Sequence, residues 1–289
     1  MSIRGSVVIP HFNDLDNLRT CLALLANQSY PRDSYEIVVA DNNSAVGIEA
    51  VRAAAGPTVI VVPAPEQGAA AARNAGAAAA RAEILAFIDS DCRPSPDWLA
   101  EGLAAMAAAD VVGGCVRVVA EIEGQLQPVE AFEAVFAFNN EAYIKKKSFS
   151  VTANLFVRRS VFDEVGGFRA GVSEDVEWCL RAAAAGYPVR YAPRVIVDHP
   201  ARRSWSELVT KWRRLTREAY LLMRERRLGR LKWLLRCWVV LLSSFFDMFT
   251  VLSSRKLRGI GNRLRVVSIL FRIRFYRFIE SHRVAWKMR

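Results

Sequence analysis

The sequence predicts an α/β fold, a mixed and mainly parallel sheet flanked by helices, followed by a basic helical region. Three observations carry this. Apolar runs of strand length alternate with helical stretches over the first 120 residues. The runs are apolar throughout rather than alternating, as strands covered on both faces require. The charge also changes sign near residue 200.

Residues 6–10 (SVVIP) are the first strand, and residues 15–28 have helical spacing, with Leu18, Leu22 and Leu25 on one stripe. Residues 36–41 (EIVVAD) and 58–62 (TVIVV) read as the second and third strands. An alanine-rich helix covers 69–81, a fourth strand 84–89 (ILAFID), a helix 97–109 and a further strand 110–119. From about Ser204 the character changes. Residues 205–227 form a basic helix, 231–252 are strongly apolar but interrupted by Lys232, Arg236 and Asp247, and 260–279 alternate arginine with Leu, Val, Ile and Phe at helical spacing.

Over 289 residues, 52% hydrophobic and 24% charged, a folded protein is expected and disorder excluded. The five cysteines are scattered without a C-x-x-C pair, which argues against a disulfide framework or zinc ribbon and fits a reducing cytoplasm. The N-terminus enters its first strand without the apolar region of a signal peptide. The net charge of +11 hides a split. Residues 1–200 hold 17 basic and 24 acidic side chains, whereas 201–289 hold 23 and 5. An acidic working domain joined to a polyanion-binding region is expected, the polyanion being nucleic acid or an anionic leaflet. The longest uncharged stretch of the apolar segment is 237–246, short of the roughly 18–20 residues that a span needs. An amphipathic region lying in the membrane interface is therefore preferred, with a helical subdomain packed on the catalytic core as the alternative.

Two strands end in aspartate, Asp41 and Asp89, where ligands gather in open α/β sheets, although each could simply cap a turn. The sharpest signal is Asp89-Ser90-Asp91. Two carboxylates at a strand exit suit a hard divalent cation, Mg2+ or Mn2+, bridging the oxygens of a nucleotide diphosphate. Neither G-x-G-x-x-G after the first strand nor G-x-x-x-x-G-K-[ST] occurs, so the dinucleotide and P-loop readings lose their support.

The motifs follow in order: Val7-Val8-Ile9-Pro10-His11-Phe12-Asn13, Asp41-Asn42-Asn43-Ser44, residues 68–76 with Arg73 and Asn74, Asp89-Ser90-Asp91, Asn154 to Arg159, Val165-Gly166-Gly167-Phe168, Ser173-Glu174-Asp175 and His199. Over roughly residues 4–200 this succession resembles the family 2 glycosyltransferases, whose fold is GT-A. The resemblance implies a metal-dependent, inverting, non-processive transfer from a nucleotide-sugar, UDP-sugars being favoured and GDP- and dTDP-sugars open. It implies that Pro10 and Phe12 line the base pocket, Phe12 standing where the family often has tyrosine. Asp41 would bond base or ribose, Arg73, Asn74 and Ser90 would border the nucleotide-sugar, and Asp89 would contact ribose or donor sugar. Asp91 would be the metal carboxylate and His199 its second contact. Asp175, at a helix start, is the candidate catalytic base, although Glu174 and Asp175 could simply complement the helix dipole, with Asn154, Glu174 and Trp178 on the acceptor side; Trp178 reads equally as core. Gly113-Gly114 and Gly166-Gly167 mark close backbone approach or ordinary turns. The Q-x-x-R-W motif of processive synthases is absent, Lys211-Trp212-Arg213-Arg214 not matching it.

A catalytic domain over 1–203 is expected, with a nucleotide-sugar half to about 118 and an acceptor half from 119, then a basic membrane-surface region over 204–289. The acceptor would be a lipid-linked saccharide on the cytoplasmic face of a membrane, with no nucleic acid as partner. A sugar nucleotidyltransferase should show a glycine-rich N-terminal loop where this chain has VVIPHFND. A non-catalytic basic binding protein would leave the ordered acidic motifs unexplained.

Overall fold

The computed structural model describes residues 3–120, 122 and 126–287. In chain order the elements are β1 (Gly5–His11), α1 (Leu15–Ala26), β2 (Tyr35–Asp41), α2 (Ile48–Ala55), β3 (Ile60–Pro63), α3 (Ala69–Ala79), β4 (Ile84–Phe87), β5 (Arg93–Pro94), α4 (Trp98–Ala105) and β6 (Val111–Val119). They continue with α5 (Pro128–Phe136), α6 (Asn140–Lys147), β7 (Leu155–Arg158), α7 (Arg159–Val165), α8 (Glu174–Ala184), β8 (Arg190–Pro200), α9 (Trp205–Arg224), α10 (Gly229–Ser253) and α11 (Ile260–Lys287).

The eight strands form one sheet in the order β3-β2-β1-β4-β7-β6-β8-β5. Its parallel part is β3-β2-β1-β4; β7 runs antiparallel to both β4 and β6, and β5 antiparallel to β8. The fold is thus mixed α/β as expected, but parallel pairing stops at β4. A strand such as β7 (LFVR) carries no local mark of its direction, which is set by the elements packed beside it.

Successive residues of the buried strands supply opposite cores. Val7, Ile9, Ile37, Val39 and Ala86 pack with Leu18, Leu22 and Trp98 on one face. Val8, Val38, Leu85 and Phe87 pack with Ala70, Ala77, Phe162 and Trp178 on the other. That is the period-two alternation of a strand with no solvent face.

The chain divides into two compact units, one of Met1–Arg117, Asn139–Ala170 and Glu174–His199, the other of Val118–Phe138, Gly171–Ser173 and Pro200–Arg289. The second gathers α5 with the C-terminal helices around Val129, Phe132, Leu208, Val251, Val266, Leu270 and Ile273. In this division the described residues of 118–138 group with the helices, whereas the sequence reading put them in an acceptor half ending at 203. The apolar face of α5 recruits them, a preference that sequence order conceals. Within this unit α10 is long and apolar enough to cross a membrane, by length and composition alone, with a mean hydropathy of 1.6.

Candidate active site

The site is assembled in the sheet unit, beyond the carboxyl ends of β1, β2 and β4. β1 ends in a turn that throws Phe12 outward, 52% exposed, after the partly buried Pro10. Buried polar groups hold that turn. His11 Nδ1 donates to Asp41 Oδ1 at 3.0 Å, and the Asp14 backbone N–H donates to His11 Nε2 at 3.3 Å, so Nδ1 carries the proton. Ser44 donates to Asp41 through its hydroxyl (2.6 Å) and its N–H (3.2 Å), while the Asn13 N–H donates to Ser44 Oγ at 2.9 Å. Asp41 is 3% exposed. Expected at base or ribose, it also braces the Phe12 turn, with three internal donors on its carboxylate. Neighbouring Asn42 ties the end of β2 to the approach to α3, donating to the Ala64 and Glu66 carbonyls and accepting from the Gly68 N–H.

Arg73, on α3, is the centre of the acidic cluster. Its guanidinium donates to Asp89 Oδ1 at 2.6 Å and to Glu174 Oε1 at 2.8 Å. Burial alone would lower its pKa; the two carboxylates outweigh that and raise it, so the cation is locked in. Its Nε is buried without a hydrogen-bond partner. Asp175 begins α8 beside Glu174. Burial first, then the Glu174 charge, push its carboxyl up to about 6, against the Val176 N–H and Arg73, with Asp89 adding to the rise. The helix start, Arg73 and the β4 exit are therefore electrostatic neighbours, which brings Asp175 to the same cluster as Asp89.

The β5–β8 ladder pairs Arg93 with Asp198 and Pro94 with Val197. Continued back one step, that register carries His199 to the Asp89–Asp91 turn, where Ser90 lies partly exposed. Asp91 Oδ2 and His199 Nε2 stand 3.6 Å apart, beyond a hydrogen bond and within the roughly 4 Å that two ligands of one small cation span. The ligand atoms of Asp91, Cys92 and His199 lie within 4.8 Å of one another. The buried Cys92 thiol is held protonated by burial and by the Asp91 and Asp89 charges. That leaves an oxygen and an imidazole nitrogen, a donor set suited to Mg2+ or Mn2+ with positions open for phosphate oxygens. The residues fit such an ion.

Three expected site residues have internal partners. Both ends of the Asn74 amide bond the Phe168 backbone, at 2.8 Å each. A Cβ at Gly167 would meet Asn74 Oδ1 at 2.8 Å, which explains that glycine. Asn154, wholly buried, accepts from Trp98 Nε1 at 2.9 Å and donates to the Cys115 and Val195 carbonyls at 2.9 and 3.0 Å. It stitches β6 to β8 across Gly114, whose Cβ would lie 2.3 Å from Asn154 Nδ2. Trp178 is fully buried, packs against Phe162 and Phe168 and donates to the Gly166 carbonyl at 2.8 Å: it is core. Polar residues within motif segments look alike on paper whether they face ligand or backbone. His11 and Ser44 were missed as site residues, though both sit in the quoted motif runs.

Residues 6–168 match the family model described as glycosyl transferase family 2. This chain belongs to glycosyl transferase family 2. It is a glycosyltransferase with the GT-A fold. It is similar to glycosyltransferase AglE of Haloferax volcanii, 35% identical over 214 residues, which cover 71% of this chain and 69% of that protein. It is also 32% identical over 215 residues to the pre-mycofactocin glycosyltransferase of Mycobacterium tuberculosis, covering 69% of this chain but 44% of that one. Among solved structures, the mannosyltransferase PcManGT of Pyrobaculum calidifontis, in complex with GDP-Man and Mn2+, superposes with a TM-score of 0.66 at 18% identity, covering 96% of this chain and 86% of that one. S. aureus TarS 1–349, in complex with UDP, gives 0.50 at 19% identity, over 74% and 65%. At these identities the structural likeness concerns the fold.

Proposed function

We propose that this family 2 enzyme transfers a sugar, with inversion, from a nucleoside-diphosphate sugar to a hydroxyl of a lipid-linked saccharide at the cytoplasmic face of a membrane. The observation that carries the reading is the convergence of Arg73, Asp89, Glu174 and Asp175 beside the Asp91–His199 pair. Phe12, held out by the His11–Asp41–Ser44 brace, offers an aromatic face to the base. Arg73 fixes Asp89 toward the ribose or sugar and Glu174 at the head of α8. A divalent cation, Mg2+ or Mn2+, held by Asp91 and His199 would neutralise charge on the departing diphosphate. Asp175 accepts the proton of the acceptor hydroxyl as the new bond forms, and its raised pKa makes it a better base at neutral pH than an ordinary carboxylate. No covalent intermediate is required. Mn2+ and GDP-Man with PcManGT, and UDP with TarS, support a metal and a nucleotide-sugar donor.

The membrane part rests on α10 and on the surplus of basic residues after residue 200. A thermal-shift screen of UDP, GDP and dTDP with and without Mn2+ tests the donor site. One nucleotide should stabilise the protein only with the metal, UDP being expected. Equal shifts without metal would overturn the Asp91–His199 assignment.

A further inference from the structure

The segment from Asp89 to Cys92 is a tight turn, closed by the Cys92 N–H, which donates to the Asp89 carbonyl at 3.1 Å. The chain then enters β5, and the β5–β8 register, continued one step, sets His199 opposite Cys92. A third donor therefore stands beside the Asp91–His199 pair. Cys92 Sγ, an Asp91 carboxylate oxygen and a His199 ring nitrogen all lie within 4.8 Å of one another. Their exposure is graded: the Asp91 side chain is 35% exposed, the His199 side chain 7%, and Cys92 1%. The carboxylate lies at the mouth and the thiol on the floor.

Toward Mg2+ or Mn2+ the sulfur is a bystander, because hard cations take oxygen and nitrogen donors. A thiophilic cation changes the balance. Thiolate, imidazole and carboxylate are the three donor types of zinc sites, and a site with three protein ligands keeps a fourth position for an outside ligand. With metal bonds of about 2.0–2.3 Å, neighbouring donors of a tetrahedral ion stand roughly 3.3–3.6 Å apart. Asp91 and His199 already stand 3.6 Å apart. Bringing the sulfur in from at most 4.8 Å needs a shift of about 1 Å, which side-chain torsions can supply. On binding, the S–H bond breaks, a metal–sulfur bond forms and the proton passes to solvent, with no change of oxidation state. An ion drawn to Cys92 sits deeper than one held at the mouth. It also has a single open position, too few for a diphosphate that chelates through two oxygens.

We infer that Asp91, Cys92 and His199 form a three-ligand seat for a thiophilic divalent cation of the Zn2+ type, which displaces Mn2+ or Mg2+ and inhibits transfer. The inference rests on the Asp91–His199 reading above and extends it with a sulfur ligand.

The test titrates the full chain with Co2+, a spectroscopic stand-in for Zn2+, and reads the near-ultraviolet charge-transfer band from sulfur to cobalt. The unaltered chain should show the band, Zn2+ should abolish it, and Mn2+ should reduce it only at about a hundredfold excess or more. Cys92→Ala should lose the band and lower the preference for Zn2+ over Mn2+ by about tenfold or more. Cys115→Ser, at the half-buried cysteine outside the cluster, should keep the band. A band retained in Cys92→Ala, or equal Zn2+ inhibition of Mn2+-supported transfer in that variant, overturns the inference. If Cys92→Ala fails to fold, competition in the unaltered chain decides, and a band that Mn2+ never reduces places the sulfur elsewhere and overturns it. Mn2+ binding, followed by electron paramagnetic resonance, without any cobalt–sulfur band removes Cys92 and leaves the Asp91–His199 reading standing. Binding of neither ion overturns both.

Discussion

The two units handle buried arginine in opposite ways. In the sheet unit Arg73 has a carboxylate on each side, Asp89 and Glu174, and its cationic state is reinforced. In the helical unit the Arg277 guanidinium lies 3.7 Å over the Trp212 ring. In the first arrangement two carboxylates flank the cation; in the second a single aspartate lies near it and an aromatic ring covers one face. A buried guanidinium can thus be accommodated by paired carboxylates or by an aromatic face.

That contrast can be broken by experiment, the largest effect first. Asp175→Asn should lower turnover about a thousandfold in a donor-hydrolysis or transfer assay, since its proton-accepting role goes. Turnover of the unaltered enzyme should fall as pH drops through about 6, where Asp175 becomes protonated. Because burial raises this carboxyl above its unfolded value, its neutral form stabilises the fold, and that stabilisation is lost as pH rises through about 6. Asp175→Asn should therefore melt higher than the unaltered enzyme at pH 7, and a lower Tm would argue for a structural role. Asp91→Ala should cost roughly a hundredfold in turnover and abolish the Mn2+-dependent nucleotide shift while leaving the Tm without metal nearly unchanged. Arg73→Met should destabilise by about 3 kcal/mol in denaturant unfolding, because it strands two carboxylates, whereas Arg277→Met should be neutral or stabilising. Equal losses from the two arginines would erase the distinction drawn here. The smallest effect is expected from Phe12→Ala: about a fivefold rise in KM for the donor with turnover nearly unchanged.

Much of the sheet unit was legible in the sequence because its signals are local. Apolar runs gave β1 to β4. The antiparallel half was not legible, since β7 finds its place between β4 and β6 through packing rather than through its own four residues. At the site the ordered motifs named segments, without telling which of their side chains are already bonded within the chain. Asp41, Asn74 and Asn154 all present polar side chains at motif positions, and only the structure reveals that backbone groups and neighbours have already claimed them. Buried polar groups must find partners, and sequence does not say whether the partner is a ligand or the chain itself.

The two-residue strand β5 is short enough to overlook, yet its pairing with β8 unites Asp91 with a histidine more than a hundred positions downstream. The stretch that matches the family model stops at 168, before α8 and β8. Trimming to that stretch, or grafting it into another scaffold, would discard both Asp175 and His199. On the proposed reading, a transplantable catalyst has to run past residue 199.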